Sequence, residues 1–589
     1  MARQHNPSPG TSSIIRIADF SREEELSEGL SSEKQRNQEH GAKPSKLMVP
    51  VAFALILILA LYGFLLVQGL PQHWTELSNT EHHANHHAEG YADHEHAELG
   101  AKDDHSAYPL PFMVAPFVIL LLCIAILPLI PATAHWWEKN SNKFLVAGGL
   151  GVLTLLYYFF GGVPVEQHLI EHKMITPADG GFAIAKTVFI NAIVVEFLPF
   201  IVLLFALFTI TGGIRICCSL KATPFINCVI LLIGSVLASV IGTTGAAMLL
   251  IRPLLDMNRG RKHKVHTIVF FIFCVCNCGG CLTPLGDPPL FLGYLRGVPF
   301  EWTPFALLPM WAFTNLLLIA FYFLWDALWY YPREAQEYKT QKNDSTQKLL
   351  TISGWMLNVP LLLGVVAAVA LLDPSRPVPG TDHWHPWFYL REAVQLGLAA
   401  ISLLCGSMVI RKENIFNFLA IGEVAALFFG IFICMQVPLQ ILNVHGKHIV
   451  EQAEHATGLP KTKLFFWSTG ALSSVLDNAP TYVVFFETAR GLSPETDAEK
   501  AEWRAMEGRE FRPVSLGGRG SVIDHYLLIA VALGSVFMGA MTYIGNGPNF
   551  LIKAVAEQDG VKMPSFFGYI LYSCLILLPI LVVMTLIFL

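Results

Sequence analysis

Two aspartates lie inside segments that are otherwise apolar enough to cross a membrane. Asp287 belongs to NCGGCLTPLGDPPLF, residues 277–291, and Asp477 belongs to SSVLDNAPT, residues 473–481. A carboxylate at the centre of a bilayer costs about 2.5 to 3.5 kcal/mol on insertion scales, so such a residue is a functional candidate by default. In a low-dielectric site a carboxylate can hold a proton or a small cation in turn. Both residues are therefore predicted to be exchangeable ligands of H⁺ and Na⁺.

Side chains that carry oxygen accompany both aspartates. Hard cations such as Na⁺ prefer oxygen ligands, and the glycines and prolines of these stretches interrupt a helix and free its carbonyls. Further candidates for an ion or substrate site are Thr243, Thr244, Thr283, Ser474, Asn478, Asn546, Asn549, Asn277, Glu196 and Glu423. The alternative is that the aspartates and hydroxyl residues only cap broken helices, and that the glutamates only bond neighbouring helices.

A histidine-rich segment at residues 81–105 offers a different chemistry. His82 and His86 are four residues apart, as are His83 and His87, so a short helix could present each pair to a transition metal. The alternative is a solvated low-complexity loop. The four cysteines within residues 274–281 also resemble metal-ligand spacing, with close packing of small side chains as the alternative.

The composition places the aspartates in a membrane protein. Of the 589 residues, 53% are hydrophobic and only 14% are charged, whereas soluble domains carry about a quarter charged residues. The mean hydropathy is +0.50. Runs of about 20 apolar residues, the length that crosses a bilayer, recur from residue 47 to the last residue. The sequence therefore predicts an all-α polytopic membrane protein.

Several other classes are disfavoured. The formal charge of −6 is too small to imply a nucleic-acid partner. No polar loop is long enough for a catalytic domain, so neither an enzyme nor a cofactor is predicted. Nearly all of the eleven cysteines lie in or beside apolar segments, which argues against a disulfide framework.

About eleven crossings are predicted when the basic loops are placed in the cytoplasm. The uninterrupted spans are 47–70, 111–131, 144–160, 193–214, 305–325, 357–372, 393–410, 416–442 and 570–588. Segments 265–295 and 526–556 are long enough to cross but contain Gly, Pro and polar residues at their centres, as broken helices do. Two more segments, starting near residues 224 and 461, are predicted to be re-entrant hairpins, because basic residues flank both ends of each.

The hairpins and broken helices form two copies of one unit. Residues 239–246, SVIGTTGA, align with 474–481, SVLDNAPT, and residues 283–289, TPLGDPP, align with 542–548, TYIGNGP. The number of spans between the copies gives them opposite orientations in the membrane. Inverted repeats whose hairpins and broken helices meet at mid-membrane are typical of secondary transporters.

This pattern divides the chain into five parts. A disordered cytoplasmic tail is predicted for residues 1–46, and N-terminal helices with the histidine-rich external loop for 47–160. The first transport repeat is assigned to 161–304, connecting helices to 305–410, and the second repeat with the last helix to 411–589.

The two aspartate motifs resemble those of a known superfamily. SSVLDNAPT is similar to the second-hairpin signature of D-type bacterial sodium:proton antiporters. NCGGCLTPLGDPP resembles their Asn-Ala-Gly-Gly...Gly-Asp segment through Asn277, Gly279, Gly280, Gly286 and Asp287. Over most of residues 193–556 the chain thus resembles the ion transporter superfamily, which also includes arsenite permeases and citrate and divalent anion symporters. The resemblance implies a location in a bacterial inner membrane.

The sequence departs from this pattern in two places that bear on the substrate. The first hairpin tip, GTTG at 242–245, lacks the Ser-Asn-Thr triplet of the dicarboxylate symporters, whereas GNGPNF at 545–550 is closer to the anion and citrate branches. The leading hypothesis is Na⁺/H⁺ exchange by alternating access, and the alternative is ion-coupled transport of citrate or another carboxylate. A metal-sensing or adaptor role is the third. Expected partners are the lipid bilayer and a small inorganic cation, or a citrate-like anion in the alternative, with a homodimer left open.

Overall fold

The computed structural model describes most of the chain beyond the first 44 residues. Described are residues 45–70, 72–73, 109–334 apart from 129, 169–172, 219 and 221, and 350–589 apart from 375, 379, 382–383, 415, 495–498, 502, 505–509 and 518–520. The predicted tail up to residue 44 and the histidine-rich segment lie outside the described residues.

Eleven α-helices are described in the first half of the chain. They are α1 (Ser45–Val67), α2 (Ala115–Ile126), α3 (Pro131–Trp137), α4 (Asn140–Gly161), α5 (Gly181–Phe189), α6 (Leu198–Thr211), α7 (Pro224–Ile241), α8 (Thr243–Met257), α9 (Val265–Cys274), α10 (Pro288–Leu295) and α11 (Trp302–Trp325). Three of them, α3, α7 and α10, begin with proline, whose missing N–H has no helical partner to lose at the first position. α4 is followed by Gly162, whose φ of +62° suits a left-handed cap.

Eleven further α-helices are described in the second half of the chain. They are α12 (Trp355–Leu371), α13 (Leu390–Cys405), α14 (Met408–Glu413), α15 (Leu419–Cys434), α16 (Gln436–Thr457), α17 (Lys461–Val475), α18 (Asn478–Gly491), α19 (His525–Met538), α20 (Gly547–Gln558), α21 (Phe566–Tyr572) and α22 (Leu578–Phe588). Segments of π-helix, Ile190–Phe197 and Ser573–Leu577, join α5 to α6 and α21 to α22, and a third, Asp326–Tyr330, extends α11.

Short antiparallel strand pairs tie loops together outside the helices. β1 (Val165–Glu166) pairs with β2 (Met174–Ile175), and β5 (Pro513–Ser515) pairs with β6 (Val522–Asp524). The longer pair joins distant parts of the chain, because β3 (Arg215–Cys218) aligns with β4 (Leu350–Ser353), Arg215 opposite Ser353. β3 leads directly towards α7.

The helices are those of a polytopic membrane protein. Within the described residues, seven helices are long and apolar enough to cross a membrane: Asn140–Gly161, Gly181–Thr211, Pro224–Ile241, Val265–Leu282, Trp302–Glu334, Leu419–Asn443 and Phe566–Phe588. A further apolar pair, Pro111–Ile126 and Pro131–Trp137, is bent by 103°, and shorter apolar helices occur at Ala54–Val67, Trp355–Leu371 and His525–Met541. The count of about eleven crossings and the re-entrant path of the hairpins remain predictions.

The helix boundaries differ from the sequence prediction in several places. The span predicted to begin at residue 193 begins at Gly181, and the span predicted as 111–131 is broken between Ile126 and Pro131. The segment predicted as 393–410 ends at Cys405, and a separate helix, α14, begins at Met408 after Gly406 breaks the run. The segment predicted to end at residue 442 continues through α16 to Thr457. α16 is too polar in its last turns for a hydropathy pattern to register, which explains the early stop.

The two broken helices form the centre of the molecule. Every residue of α9 from His266 to Cys274 is buried, and so is every residue of α19 from Leu527 to Met538. A helix that is apolar on all sides belongs in the interior. α7 and α8, joined through Gly242, form the first hairpin, and α17 and α18 form the second.

Each hairpin packs on the broken helix of its own repeat and also on that of the other repeat. α7 lies against the turn Cys278–Leu282 of the first broken helix, and α17 lies against α19 of the second. Across the repeats, α8 of the first hairpin contacts α20, while α18 of the second hairpin contacts α10. This exchange brings both hairpin tips and both helix breaks to one place.

Candidate functional site

The first broken helix is interrupted directly before Asp287. α9 ends at Cys274, a 3₁₀ turn occupies Cys278–Leu282, and α10 begins at Pro288. The missing N–H of proline is tolerated at a first helical position. Asp287 has extended backbone geometry and stands at the N-terminus of α10, the positive end of its dipole.

Glycine allows the first hairpin tip to lie against this break. Gly242 turns the chain with a φ of +83°, and the next amide, Thr243 N–H, donates to the carbonyl oxygen of Gly286 at 2.8 Å. A Cβ on Gly286 would lie 2.0 Å from the carbonyl oxygen of Gly280, far inside van der Waals contact. The glycines within the apolar run are thus required by backbone segments that touch.

A threonine in each break binds the hairpin of its own repeat. Thr283 Oγ1 donates to the carbonyl oxygen of Ser239, in the last turn of α7. Thr542 Oγ1 donates in the same way to the carbonyl oxygen of Ser474, in the last turn of α17, at 2.5 Å. Terminal carbonyls of a helix lack an internal partner. Equivalent residues thus make equivalent bonds in the two aligned copies.

Asp287 is the point where all four elements converge. Its carboxylate accepts hydrogen bonds from Thr243 Oγ1 of the first hairpin at 2.9 Å, from Asn478 Nδ2 of the second hairpin at 2.5 Å, and from Asn546 Nδ2 of the second break at 3.3 Å. The side chain is buried, with 1% exposure. One carboxylate therefore joins the two repeats.

Asn277 and Asn549 support this arrangement without touching the carboxylate. Asn277 Nδ2 donates to Asn549 Oδ1 at 2.7 Å, and Asn277 Oδ1 accepts from Asn546 Nδ2 at 3.2 Å. Asn549 Nδ2 in turn donates to the carbonyl oxygens of Gly539 and Thr542. This chain of amides fixes the orientation of Asn546, so Asn277 and Asn549 position the site.

A carbonyl oxygen is left over beside Asp287. Asn478 Oδ1 is buried and has no hydrogen-bond partner among the described residues, although buried polar atoms are almost always paired. Together with the Asp287 carboxylate and Thr243 Oγ1, it provides oxygen atoms of the kind that a hard cation uses. The residues present therefore fit a small cation.

Asp477 lies at the edge of this centre. It precedes α18, where Oδ1 accepts from the backbone N–H of Ala479 at 3.3 Å, and it is half-buried. Ser474 bonds within its own helix, to the carbonyl oxygen of Ala471 at 2.7 Å. Thr244 is half-buried in the first turn of α8, next to Thr243. Asp477 is thus an outer carboxylate and Asp287 an inner one.

Glu196 and Glu423 lie in ion pairs away from Asp287. Glu196 Oε1 lies 3.0 Å from Nη2 of Arg296. Nε of the same arginine lies 3.1 Å from Glu487 Oε1. Arg296 is nine residues beyond Asp287, about 13 Å along a helix. Glu423 lies 2.5 Å from Lys143 Nζ and is half exposed. The structure therefore brings Asp287, Thr243, Asn478 and Asn546 together but places the two glutamates elsewhere.

The sequence analysis missed a buried charge cluster at the start of α9. Arg261 donates to both oxygens of Asp326 and, through Nε at 2.9 Å, to Glu334, while His266 Nε2 lies 3.1 Å from Asp326. Burial alone would lower the pKa of Arg261, but the bonds to Asp326 and Glu334 outweigh it and raise that pKa further above its usual value. The signal in the sequence was Asp326, an acid directly after the apolar run of α11.

Metal sites are not found in the part of the chain that the structure describes. No group of three or more His, Cys, Asp or Glu side chains there is placed to hold a metal ion. The cysteines within 274–281 are buried free thiols among close-packed neighbours. His82, His83, His86 and His87 lie outside the described residues.

The fold and the site together define a class of protein. Paired helix hairpins and broken helices that meet at a buried polar centre are the construction of secondary transporters. The described helices, long and apolar, agree with a multi-pass membrane protein.

Comparison with known proteins gives the family. A family model described as "Putative citrate transport" matches residues 107–589. The chain belongs to this family, and it is a secondary transporter of the ion or citrate type. None of the curated proteins compared with the chain matches it.

Proposed function

We propose that the protein exchanges Na⁺ for H⁺ at Asp287 by alternating access. The observation that carries this proposal is the convergence of both hairpin tips and both helix breaks on one buried carboxylate, with the unpartnered Asn478 Oδ1 beside it. An exchanger needs a single group that holds either ion but not both. Asp287 is proposed as that group.

The hydrogen bonds around Asp287 suggest how the two ions compete. All three neighbours donate, which suits an ionised carboxylate. When a proton binds, Asp287 itself becomes a donor, and the Thr243 hydroxyl can rotate to accept. When Na⁺ binds, the carboxylate, Thr243 Oγ1 and Asn478 Oδ1 can serve as ligands. One cation replaces another, so the charge of the site is conserved in each exchange.

Asp477 is proposed as the outer ligand of the path. It belongs to the second hairpin tip, directly before Asn478, and is more accessible than Asp287. A cation that enters past Asp477 would thus pass only Asn478, which bonds to Asp287, before it reaches the inner carboxylate. Asp477→Asn should slow exchange at low Na⁺ concentration while leaving it measurable at high concentration. Exchange that is unchanged at all Na⁺ concentrations would remove this role.

Everted membrane vesicles provide the test of the exchange itself. After a pH gradient is formed, added Na⁺ or Li⁺ should dissipate it, as reported by a fluorescent weak base. Asp287→Asn should abolish the response, whereas Glu138→Gln, an exposed partner of His135, is the matched control for loss of one acid. A gradient that ignores Na⁺ and Li⁺ would reject Na⁺/H⁺ exchange.

Ion-coupled transport of citrate or another carboxylate is the second candidate. The description of the matching family favours it. Uptake of labelled citrate into proteoliposomes, with and without a Na⁺ gradient, separates the candidates. Citrate uptake in this assay would replace pure cation exchange as the function. For both candidates we propose a location in a bacterial inner membrane.

A further inference from the structure

The two aligned repeats differ in charge at the ends that lie farthest from Asp287. Continued without a gap, the alignment of the hairpin tips pairs Arg252 of α8 with Glu487 of α18, and that of the helix breaks pairs Arg296 with Val555 of α20. In the structure, α10 contacts α18, and α8 contacts α20. Arginine and glutamate therefore occur together at the end of α10, whereas arginine and valine occupy the equivalent end of α20.

Arg296 joins three elements at the end of α10. Its Nε lies 3.1 Å from Glu487 Oε1, and its Nη2 lies 3.0 Å from Glu196 Oε1. Glu487 Oε2 also lies 2.9 Å from Nη2 of Arg490. Glu487 belongs to the second hairpin, whereas Glu196 belongs to the π-helical segment before α6, outside both hairpins and both broken helices. The arginine is 3% exposed, so these ion pairs are shielded from water.

Close packing accompanies the ion pairs at this end. A Cβ on Gly293 would lie 2.2 Å from the hydroxyl oxygen of Tyr482, so α10 and α18 are in direct contact. Tyr294 Oη donates to the carbonyl oxygen of Val369 in α12 at 2.6 Å. Val298, two residues beyond the arginine, is 3% exposed. The end of α10 is therefore closed to solvent.

The equivalent end of α20 contains a cavity of about 420 Å³ instead. The cavity lies between α8 and α20 and is also lined by the end of α6 and by strand β3. Arg252 and Val555 both line it. Arg252 Nη1 donates to the main-chain oxygen of Glu413 at 2.9 Å, and in the described part of the chain no ion pair joins Arg252 to α20. This end is therefore not held closed as the other one is.

The cavity extends from the surface towards Asp287. Its lining includes Cys217, an exposed residue of β3, and Gly245, in the first turn of α8. Thr243, two residues before that glycine, donates to Asp287 at 2.9 Å. In alternating access, one side of the central site is open while the other is closed. The structure has this pattern, open at the cavity and closed at the end of α10.

We propose that Arg296 is a gate residue, whose ion pairs with Glu487 and Glu196 hold the end of α10 closed and separate when that end opens. Because the cavity end has no equivalent ion pair among the described residues, the state that is open at the cavity is favoured at rest. The inference rests on alternating access, which the proposed function also requires. It does not depend on which ion or solute is carried.

Thiol labelling measures which end is open. Val298→Cys places a reporter behind the gate, and Cys405→Ser removes another exposed thiol. A small cationic methanethiosulfonate reagent should modify Cys217 rapidly and Val298→Cys slowly. Glu196→Gln should speed the modification of Val298→Cys about tenfold, because the closed state loses one charge-assisted interaction. Glu196→Asp, which keeps the charge, should stay close to the slow rate.

A bulky adduct on Cys217 distinguishes opening of the gate from local loosening. If the end of α10 opens only when the cavity closes, a large impermeant maleimide on Cys217 should hold the cavity open. It is added first, from the side of the membrane on which Cys217 reacts. In Glu196→Gln it should return Val298→Cys to its slow rate, whereas Cys217→Ser, which carries no adduct, should keep the fast rate. Local loosening would leave the rate fast in both.

Control variants complete the test. Glu301→Gln removes an exposed acid near the same end, paired with Arg376 at 3.6 Å, and should leave Val298→Cys slow. Glu487→Gln removes the other partner of Arg296 and should act as Glu196→Gln does.

Three results would each overturn the proposal: Val298→Cys reacting as fast as Cys217 while the ion pairs are intact, no increase in either glutamate variant, or an adduct on Cys217 that fails to suppress the increase. The labelling is measured in choline salts without Na⁺ or citrate. It can therefore give the expected result even where the vesicle assay rejects Na⁺/H⁺ exchange, so the two proposals fail separately.

Discussion

Replacement of Asp287 by asparagine tests whether its charge holds the cation. A unit charge about 2.5 Å from a bound monovalent ion contributes about 6 to 7 kcal/mol at an effective dielectric constant of about 20. Even half of that, after the ion's desolvation, is a loss of more than about a hundredfold in affinity. Asp287→Asn should therefore show no Na⁺ binding at concentrations that saturate the unmodified protein.

The same substitution should disturb the fold very little. An amide nitrogen at residue 287 would face Asn478 Nδ2, which now lies 2.5 Å from the carboxylate, and two facing donors cost about 1 to 3 kcal/mol. Because Asn478 Oδ1 has no described partner, a rotation of that amide restores a donor–acceptor pair. The variant should thus insert and purify normally.

Thermal stability of the purified protein measures both effects. Na⁺ at about 100 times its dissociation constant should stabilise the unmodified protein by about 2.7 kcal/mol, with choline chloride holding ionic strength constant. Asp287→Asn should melt at the same temperature in both salts, and a Na⁺ jump should release no proton to a pH-sensitive dye. Undiminished Na⁺ stabilisation and proton release in this variant would refute the assignment.

Four further variants, one of them a control, and one peptide probe other parts of the structure. Gly286→Ala should lower the melting temperature sharply, because its Cβ would meet the Gly280 carbonyl, whereas Gly547→Ala, where a Cβ meets nothing within 4 Å, should cost about 1 kcal/mol or less. Asn277→Ala should weaken Na⁺ binding about tenfold without abolishing it, since only the support of Asn546 is lost; an unchanged affinity would contradict the positioning role. Glu423→Gln should exchange at the normal rate, because its ion pair with the buried Lys143 lies away from Asp287. A peptide of residues 81–105 titrated with zinc should release or absorb heat if the histidine pairs bind metal, and a flat titration would exclude it.

The sequence was most informative where polar or helix-breaking residues occur within an apolar segment. Glycine, proline and aspartate within an apolar run identified the breaks, because a membrane helix tolerates them only for a reason. The alignment of residues 283–289 with 542–548 also anticipated that Thr283 and Thr542 occupy equivalent positions, and they make equivalent bonds. Periodicity was not needed for either inference.

The pairing of charged residues was beyond the reach of the sequence. Glu196 looked like a site residue because it is an isolated acid in an apolar helix, but its partner, Arg296, is a hundred positions away. Ion pairs between distant residues depend on helix packing, which a single sequence does not encode locally. The same limit hid the support of Asn546 by Asn277.

The hydrogen bonds around Asp287 are of two kinds, one between backbone groups and the others through side chains. Within the first repeat, the hairpin tip is attached through the backbone, by Thr243 N–H to Gly286 O. Between the repeats, the described bonds at this centre run through flexible amide groups such as Asn478. At the proposed cation site the two repeats are therefore joined by side-chain hydrogen bonds alone, so release of a bound ion would remove one of the links between them.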